Sequence, residues 1–273
     1  MLNLKAVGTD TEVFVVDMAS HSIIPVIGLI GGTKQKPRPL DDLGSAVQED
    51  NVMLEFNTIP ARTVEEFNKN INKVLTMIFD ELRAKNLDVS ILPHHVFNVD
   101  DLKHPQAQEI GCESDFNAWR VEENLPLSAR RMKTMRTCGG HVHVSFDDDG
   151  VDPSFTTKVN LARALDIHLG LPAVLLDLDN VRRKFYGKPG AMRFKAADRI
   201  EYRTLSNFWI STPQLTSWVF NQVKNAISFL DKLPKEEYWF PEDTMEIIDA
   251  VSKGNRKEAL KLVQKYKVDM PNA

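Results

Sequence analysis

Two stretches alternate polar and apolar side chains more cleanly than the rest of the sequence: Cys138-Gly139-Gly140-His141-Val142-His143-Val144-Ser145-Phe146 and Arg199-Ile200-Glu201-Tyr202-Arg203-Thr204-Leu205. Successive side chains of a strand point to opposite faces. The first stretch therefore puts His141, His143 and Ser145 on one face and Val142, Val144 and Phe146 on the other. The second puts Arg199, Glu201 and Arg203 together. Both read as strands with one polar and one core-facing side.

Working outward, Thr11 to Asp17 is β-branched and alternating, with Asp10 and Glu12 sharing a face. Asn51 to Asn57 alternates as well: Val52, Leu54 and Phe56 lie on one side, and Glu55 lies on the other beside Asn51 and Asn57. Glu49-Asp50 stands just upstream, and Val89 to Phe97 is a further candidate strand. Helices alternate with these segments. Thr63 and Glu66 form a capping box ahead of Val64, Phe67, Ile71, Val74, Ile78 and Leu82 at helical spacing. Phe155 to about Leu169 is a second helix, Thr212-Pro213 opens a third, and short helices are expected near Glu242–Val251 and Asn255–Tyr266. Without a strict βαβ rhythm, this order argues for an α+β fold with a mainly antiparallel sheet. The Gly28–Gly44 segment, rich in Gly and Pro and carrying Lys34, Lys36 and Arg38, reads either as a mobile flap or as a plain surface connection.

Composition narrows the function class. A formal net charge of −4 over 273 residues gives no bulk attraction to nucleic acid or anionic membranes, so any phosphate binding must come from local basic clusters. Two cysteines, Cys112 and Cys138, are too few for a disulfide framework or a thiolate zinc site. On the sequence, no apolar run is expected to approach the roughly 20 residues of a membrane span, and a cytoplasmic location is expected.

Four strands thus carry catalytic-type groups at two-residue spacing. Singly, each has a plainer explanation: solvated carboxylates for Asp10 and Glu12, and a cross-strand salt-bridge ladder for Arg199, Glu201 and Arg203. Together, several carboxylates and an imidazole with arginines nearby describe a hard-metal and phosphate site, suited to Mg²⁺ or Mn²⁺ more than to zinc. Gly139-Gly140 would let a ligand approach the backbone closely. Basic residues lead into two of these strands: Arg130, Arg131, Lys133 and Arg136 before the first, and Arg182, Arg183, Lys184, Lys188 and Arg193 before the second.

The order Asp-x-Glu, carboxylate strand, Gly-Gly-His-Val-His, Arg-Ile-Glu-Tyr-Arg resembles the catalytic core of glutamine synthetases and γ-glutamylcysteine synthetases. Gly8-Thr9-Asp10-Thr11-Glu12, Gly111-Cys112-Glu113-Ser114-Asp115-Phe116 and Glu201-Tyr202-Arg203-Thr204-Leu205-Ser206-Asn207-Phe208-Trp209 look most like the short carboxylate–amine ligases (amidoligases) found in some phages. The resemblance implies a curved sheet with site residues on its concave face and helices on the other. Residues 1–240 would be the ligase catalytic domain and 241–273 a helical extension of it. It further implies two or more Mg²⁺ or Mn²⁺ ions. One would be held by Asp10, His141 and Glu201, the other by Glu12 and Glu55 with Glu49 or Asp50. ATP would be held by Arg199, Arg203, His143, Arg136 and Lys188, with Arg203, Arg193 and Glu201 acting in catalysis and Glu113 or Asp115 receiving the amine. The reaction implied is amide formation through an acyl phosphate, between small-molecule or peptide substrates. Nucleic acid is not expected except as a modified nucleobase substrate, and oligomeric state stays open. The rival readings are a guanidino-kinase-like phosphotransferase, a degenerate ligase kept as a binding protein, and a zinc hydrolase using His141 and His143.

Overall fold

A computed structural model describes residues 1–109, 114–124, 133–177, 179–234 and 237–271. The strands are β1 (Leu2–Asp17), β2 (Ser22–Ile24), β3 (Arg38–Pro39), β4 (Ala46–Asp50), β5 (Met53–Asn57), β6 (Leu87–Ser90), β7 (His94–Val96), β8 (Phe116–Asn117), β9 (Glu122–Glu123), β10 (Met135–Thr137), β11 (Gly140–Asp148), β12 (Ala191–Ala196) and β13 (Arg199–Tyr202). One sheet runs β3-β4-β5-β1-β11-β13-β12-β8-β9, with β2 and β6 paired to the far end of β1, and every pairing in it is antiparallel. The fold is α+β. The 16-residue β1 is its spine, because it pairs with β11 over its first half, β5 in the middle, and β2 and β6 at its end. The expected Val89–Phe97 strand is two strands: β6 joins the main sheet, whereas β7 pairs with β10 in a separate ribbon. Asn51 belongs to the β4–β5 turn, where it takes a φ of 58°.

The helices α1 (Val64–Arg83), α3 (Phe155–Leu165) and α6 (Pro213–Leu230) cover one face of the sheet. Their stripes, such as Phe67, Ile71, Val74, Ile78 and Leu82 of α1, are almost wholly buried with Val7, Val13, Leu54, Phe56, Val142, Val144 and Ile200 from the strands. Each such side chain contributes roughly 1.5–3 kcal/mol on burial. Thr63 caps α1 as expected, accepting from Glu66 N at 3.2 Å. Glu66 reaches back past the cap, to Arg62 N at 2.8 Å. With the apolar side chains on the helix side, the alternating polar residues of β5, β1, β11, β13 and β12 share the opposite face.

The second helix is longer than its pattern suggested. After α3 the chain makes a π-helical turn at Asp166–Gly170 and continues as α4 (Leu171–Leu176). Phe155–Leu176 is long and apolar enough to cross a membrane, correcting the sequence reading, but 89% of its most apolar window is buried inside this fold. The last helices, α7 (Thr244–Lys253) and α8 (Arg256–Lys265), pack on α4 around a second apolar cluster that includes Ile167, Leu171, Val174, Ile247, Val251 and Leu262.

Candidate active site

Register across five strands assembles the polar face. Glu12 lies opposite Glu55, Asp10 opposite His141, His143 opposite Glu201, and Glu201 opposite Arg193. Directly opposed residues in antiparallel strands hold their side chains about 4.5–5.5 Å apart at Cβ. Residues separated by up to 191 positions therefore become neighbours without any side chain leaving its strand. Gly8 faces His143, and Gly139 makes room for the His141 ring, since a Cβ there would collide with Nε2. A Cβ on Gly140 would collide with Ser206 O and Trp209 Nε1. The two glycines thus serve packing of the protein's own side chains, where the sequence suggested close approach by a ligand.

Two groups of donors result. Ligand atoms of Asp10, His143 and Glu201 lie within 4.8 Å of one another, and so do those of Glu12, Asp50 and Glu55. A hard cation sits about 2.0–2.6 Å from each oxygen donor, so donors surrounding one ion are separated by no more than about twice that. His143 Nε2 is buried and lies 3.1 Å from Asp10 Oδ2. Burial and then the charge of Asp50 push Glu12 up to about 8. Burial, followed by Asp10, Glu12 and Asp50, pushes Glu55 well above the usual carboxylate range. Carboxylates this crowded resist joint ionisation unless a positive charge joins them. The donor set, five carboxylates and one imidazole, fits Mg²⁺ or Mn²⁺.

His141 borders two members of that group, Asp10 and Glu201. Its Nδ1 is 2.9 Å from Asp10 Oδ1 and 3.4 Å from Glu201 Oε1, and its Nε2 is 3.1 Å from Tyr186 Oη. Burial and then the Arg203 guanidinium push this imidazole down to about 3. Glu49 and Asp50 make different contacts: the Glu49 carboxylate accepts from Gly28 N (2.9 Å), Ile30 N (2.9 Å) and Gly31 N (2.7 Å). That carboxylate pins the start of the Gly28–Gly44 segment, whereas Asp50 turns to Glu12 and Glu55.

Cationic side chains surround Glu201, which is fully buried. Arg203 Nη1 contacts its Oε1, Arg193 Nη1 lies 3.9 Å from that atom, and Lys195 Nζ lies 2.7 Å from Oε2. Arg199 stands one strand pair further along the same face, opposite Ser145. Asp115 approaches Arg203 Nε at 3.6 Å and accepts from Asn124 Nδ2 at 2.6 Å. Sequence reasoning missed Lys195 and the Tyr186 hydroxyl. Lys195 follows Arg193 by two positions on β12, so alternation alone could have found it; nothing local marks Tyr186, which reaches the site from outside the strands.

Two expected nucleotide ligands have other contacts. Arg136 is buried and donates to Asn51 Oδ1, Ala107 O and Met135 O, tying α2 (Pro105–Gln108) to the β4–β5 turn. Lys188 Nζ donates to the Arg183 and Lys184 carbonyls at the end of α5 (Arg182–Phe185). A cation beside unpaired helix-terminal carbonyls satisfies them, a use that a count of basic residues cannot foresee. Glu113, Cys112, Gly111, Arg130 and Arg131 lie outside the described residues.

Comparison with known proteins adds a family. No curated protein sequence matches. Two solved structures, titled "GmaS/ADP complex-Conformation 1" and "Apo GmaS without ligand", are each 12% identical to this chain. The first covers 96% of this chain and 64% of its own, with a TM-score of 0.49; the second covers 98% and 71%, with 0.43. The chain thus spans less than two thirds of the first structure's length, and both likenesses are too distant to bear on function. A family model described as "Phage phiEco32-like COOH.NH2 ligase-type 2" matches residues 121–273. The match takes in His141, His143, Arg193, Glu201 and Arg203, and it covers more than half of the sequence, so the chain belongs to the phage phiEco32-like COOH·NH2 ligase family, type 2.

Proposed function

We propose that the protein joins a carboxylate to an amine at the expense of ATP, through an acyl phosphate, and releases ADP and phosphate. The observation that carries this reading is the convergence of two cation-suited donor groups and a row of arginines on one sheet face, in a member of a COOH–NH2 ligase family. Asp10, His143 and Glu201 would hold one divalent ion, and Glu12, Asp50 and Glu55 another. Bound there, Mg²⁺ or Mn²⁺ would offset the charge of phosphate and carboxylate oxygens brought together for reaction.

The chain's own residues supply the rest. Arg203, Arg193 and Arg199 present planar forks matched to phosphate oxygens, with Lys195 as a point charge beside them. Phosphoryl transfer between such groups is chiefly positioning and charge stabilisation, and the register-fixed strands provide both. Asp115, 3.6 Å from Arg203 Nε, would accept a proton from, or pair with, the incoming amine. Substrates are small-molecule or peptide acids and amines.

The test uses carboxylate-¹⁸O-labelled acids with hydroxylamine as surrogate amine. The expected result is a hydroxamate together with one ¹⁸O in the released phosphate, since the carboxylate oxygen attacks the γ-phosphorus. ADP release without ¹⁸O in phosphate overturns the acyl-phosphate route. Phosphorylation of a guanidine substrate, with no hydroxamate, would favour the phosphotransferase reading.

A further inference from the structure

Lys195 occupies an irregular position in β12. The strand pairs with β13 through Arg193–Glu201 and Phe194–Ile200, but the next pair is Ala196–Arg199, so Lys195 is the extra residue of a β-bulge. In unbroken register it would stand directly across from Arg199, and like charges so placed repel. A bulge re-aims a side chain. Here the Lys195 ammonium lies 2.7 Å from Glu201 Oε2. The lysine side chain is 36% exposed, whereas that of Glu201 is fully buried, so Lys195 enters from the mouth of the site and its charge ends on an inner carboxylate.

Three positive groups therefore share Glu201: Arg203 Nη1 contacts Oε1, Arg193 Nη1 lies 3.9 Å from the same atom, and Lys195 is on Oε2. A divalent ion held by Asp10, His143 and Glu201 would sit about 2.0–2.6 Å from a Glu201 oxygen and close to all three cations. One of them must give way. The two arginines are held. Arg203 is 5% exposed and also contacts Tyr186 Oη and Asp115, and Arg193 is 15% exposed and stands directly across from Glu201 on the neighbouring strand. Of the three, Lys195 combines access to solvent with a flexible four-carbon stem and a strongly hydrated head. We propose that the Lys195 ammonium stands in for the divalent ion at Glu201, that the ion displaces it, and that it then turns to the phosphate oxygens of the nucleotide. This rests on the cation-binding reading above and adds a coupling to it: the cation alone binds against Lys195, and the cation with nucleotide binds with its help.

The test measures binding of Mn²⁺ alone, and separately of Mg²⁺·ATP, by calorimetry in wild type, Lys195→Met and Lys195→Arg. Lys195→Met keeps most of the stem and removes the charge. It should bind Mn²⁺ about fivefold tighter, the upper range for a partly exposed ion pair that no longer has to be broken. Its affinity for Mg²⁺·ATP should fall about tenfold or more, as for one lost charged contact to phosphate. Opposite shifts are the signature, since a lysine that only supported the fold would weaken both. Lys195→Arg keeps the charge, and both affinities should stay close to wild type. The tightening should persist in about 0.5 M KCl, where a Debye length of roughly 4 Å screens fields acting through solvent but not a contact at a buried carboxylate. Lys195→Met that binds Mn²⁺ no tighter than wild type overturns the stand-in, as does tightening that high salt abolishes. Unchanged affinity for Mg²⁺·ATP overturns the turn to phosphate. If neither wild type nor Lys195→Met binds Mn²⁺, the cation reading itself falls and the stand-in with it, whereas a missing gain in proteins that do bind Mn²⁺ strikes Lys195 alone.

Discussion

Raising the pH of the metal-free protein from 6.5 to 8 should destabilise it, and a divalent cation should suppress that loss. The sign follows from two opposed groups. His141 is pushed down to about 3 from an ordinary imidazole value near 6.5, so the unfolded chain binds its proton more readily and stability rises with pH until about 6.5. Glu12 is pushed up to about 8 from an ordinary value near 4.5, so the folded state holds the extra proton and stability falls from about 4.5 to about 8. Below 6.5 the two oppose each other; above it the His141 contribution is complete and Glu12 acts alone or with Glu55, which shifts in the same direction. From 6.5 to 8 the Glu12 share is about 1.5 pH units at 1.36 kcal/mol each, or about 2 kcal/mol. For a chain of this size that corresponds to a fall in melting temperature of about 4–8 °C. Differential scanning calorimetry in EDTA across this window measures it. Mg²⁺ or Mn²⁺ stabilises the ionised carboxylates, so the same scan with saturating cation should be much flatter, and Glu12→Gln should remove most of the metal-free slope. A metal-free melting temperature that is level or rising between pH 6.5 and 8 would refute the crowding of Glu12, Asp50 and Glu55 as the source of the site's affinity for cations.

Other substitutions separate neighbouring roles. Arg203→Ala removes a guanidinium that touches Glu201, Tyr186 and Asp115; losing one charged hydrogen bond to phosphate costs about 1.5–3 kcal/mol, so the KM for ATP should rise roughly 10- to 150-fold. Asp50→Asn should weaken divalent-cation binding measured by calorimetry, while Glu49→Gln should leave it near the wild-type value; the opposite ranking would reverse their roles. Glu49→Ala should instead cost about 1–3 kcal/mol in urea unfolding, because the backbone N–H groups of Gly28, Ile30 and Gly31 lose their acceptor. Gly139→Ala should displace the His141 ring, costing about 1–3 kcal/mol of stability as an overpacked site and lowering Mn²⁺ affinity; a variant with unchanged melting and binding would show that the ring has room to move.

The sequence by itself determined which residues face which way. Period-two alternation is a local property of extended backbone, so the polar faces carrying Asp10 and Glu12, Glu55, His141 and His143, and Arg199, Glu201 and Arg203 were legible one strand at a time, as was the α+β class from the mixture of periods. The capped stripes of α1 and α6 were legible for the same reason. Only the tertiary structure decided how the strands stand beside one another. Register is a property of pairs of strands far apart in sequence, and it alone sets Glu201 between His143 and Arg193 and Glu12 against Glu55. It also decided between chemically equivalent candidates: Glu49 and Asp50 are adjacent in the chain, but a strand sends them to opposite faces, one to cap backbone amides and the other to join the carboxylate group. Arg136 and Lys188 could not be told from phosphate ligands in the sequence, because a charge pattern does not show which buried carbonyls will need a donor. Tyr186 was hidden for the converse reason: its partners are brought to it from two places, His141 by β11 and Arg203 just past the end of β13, and no spacing within its own segment encodes that meeting.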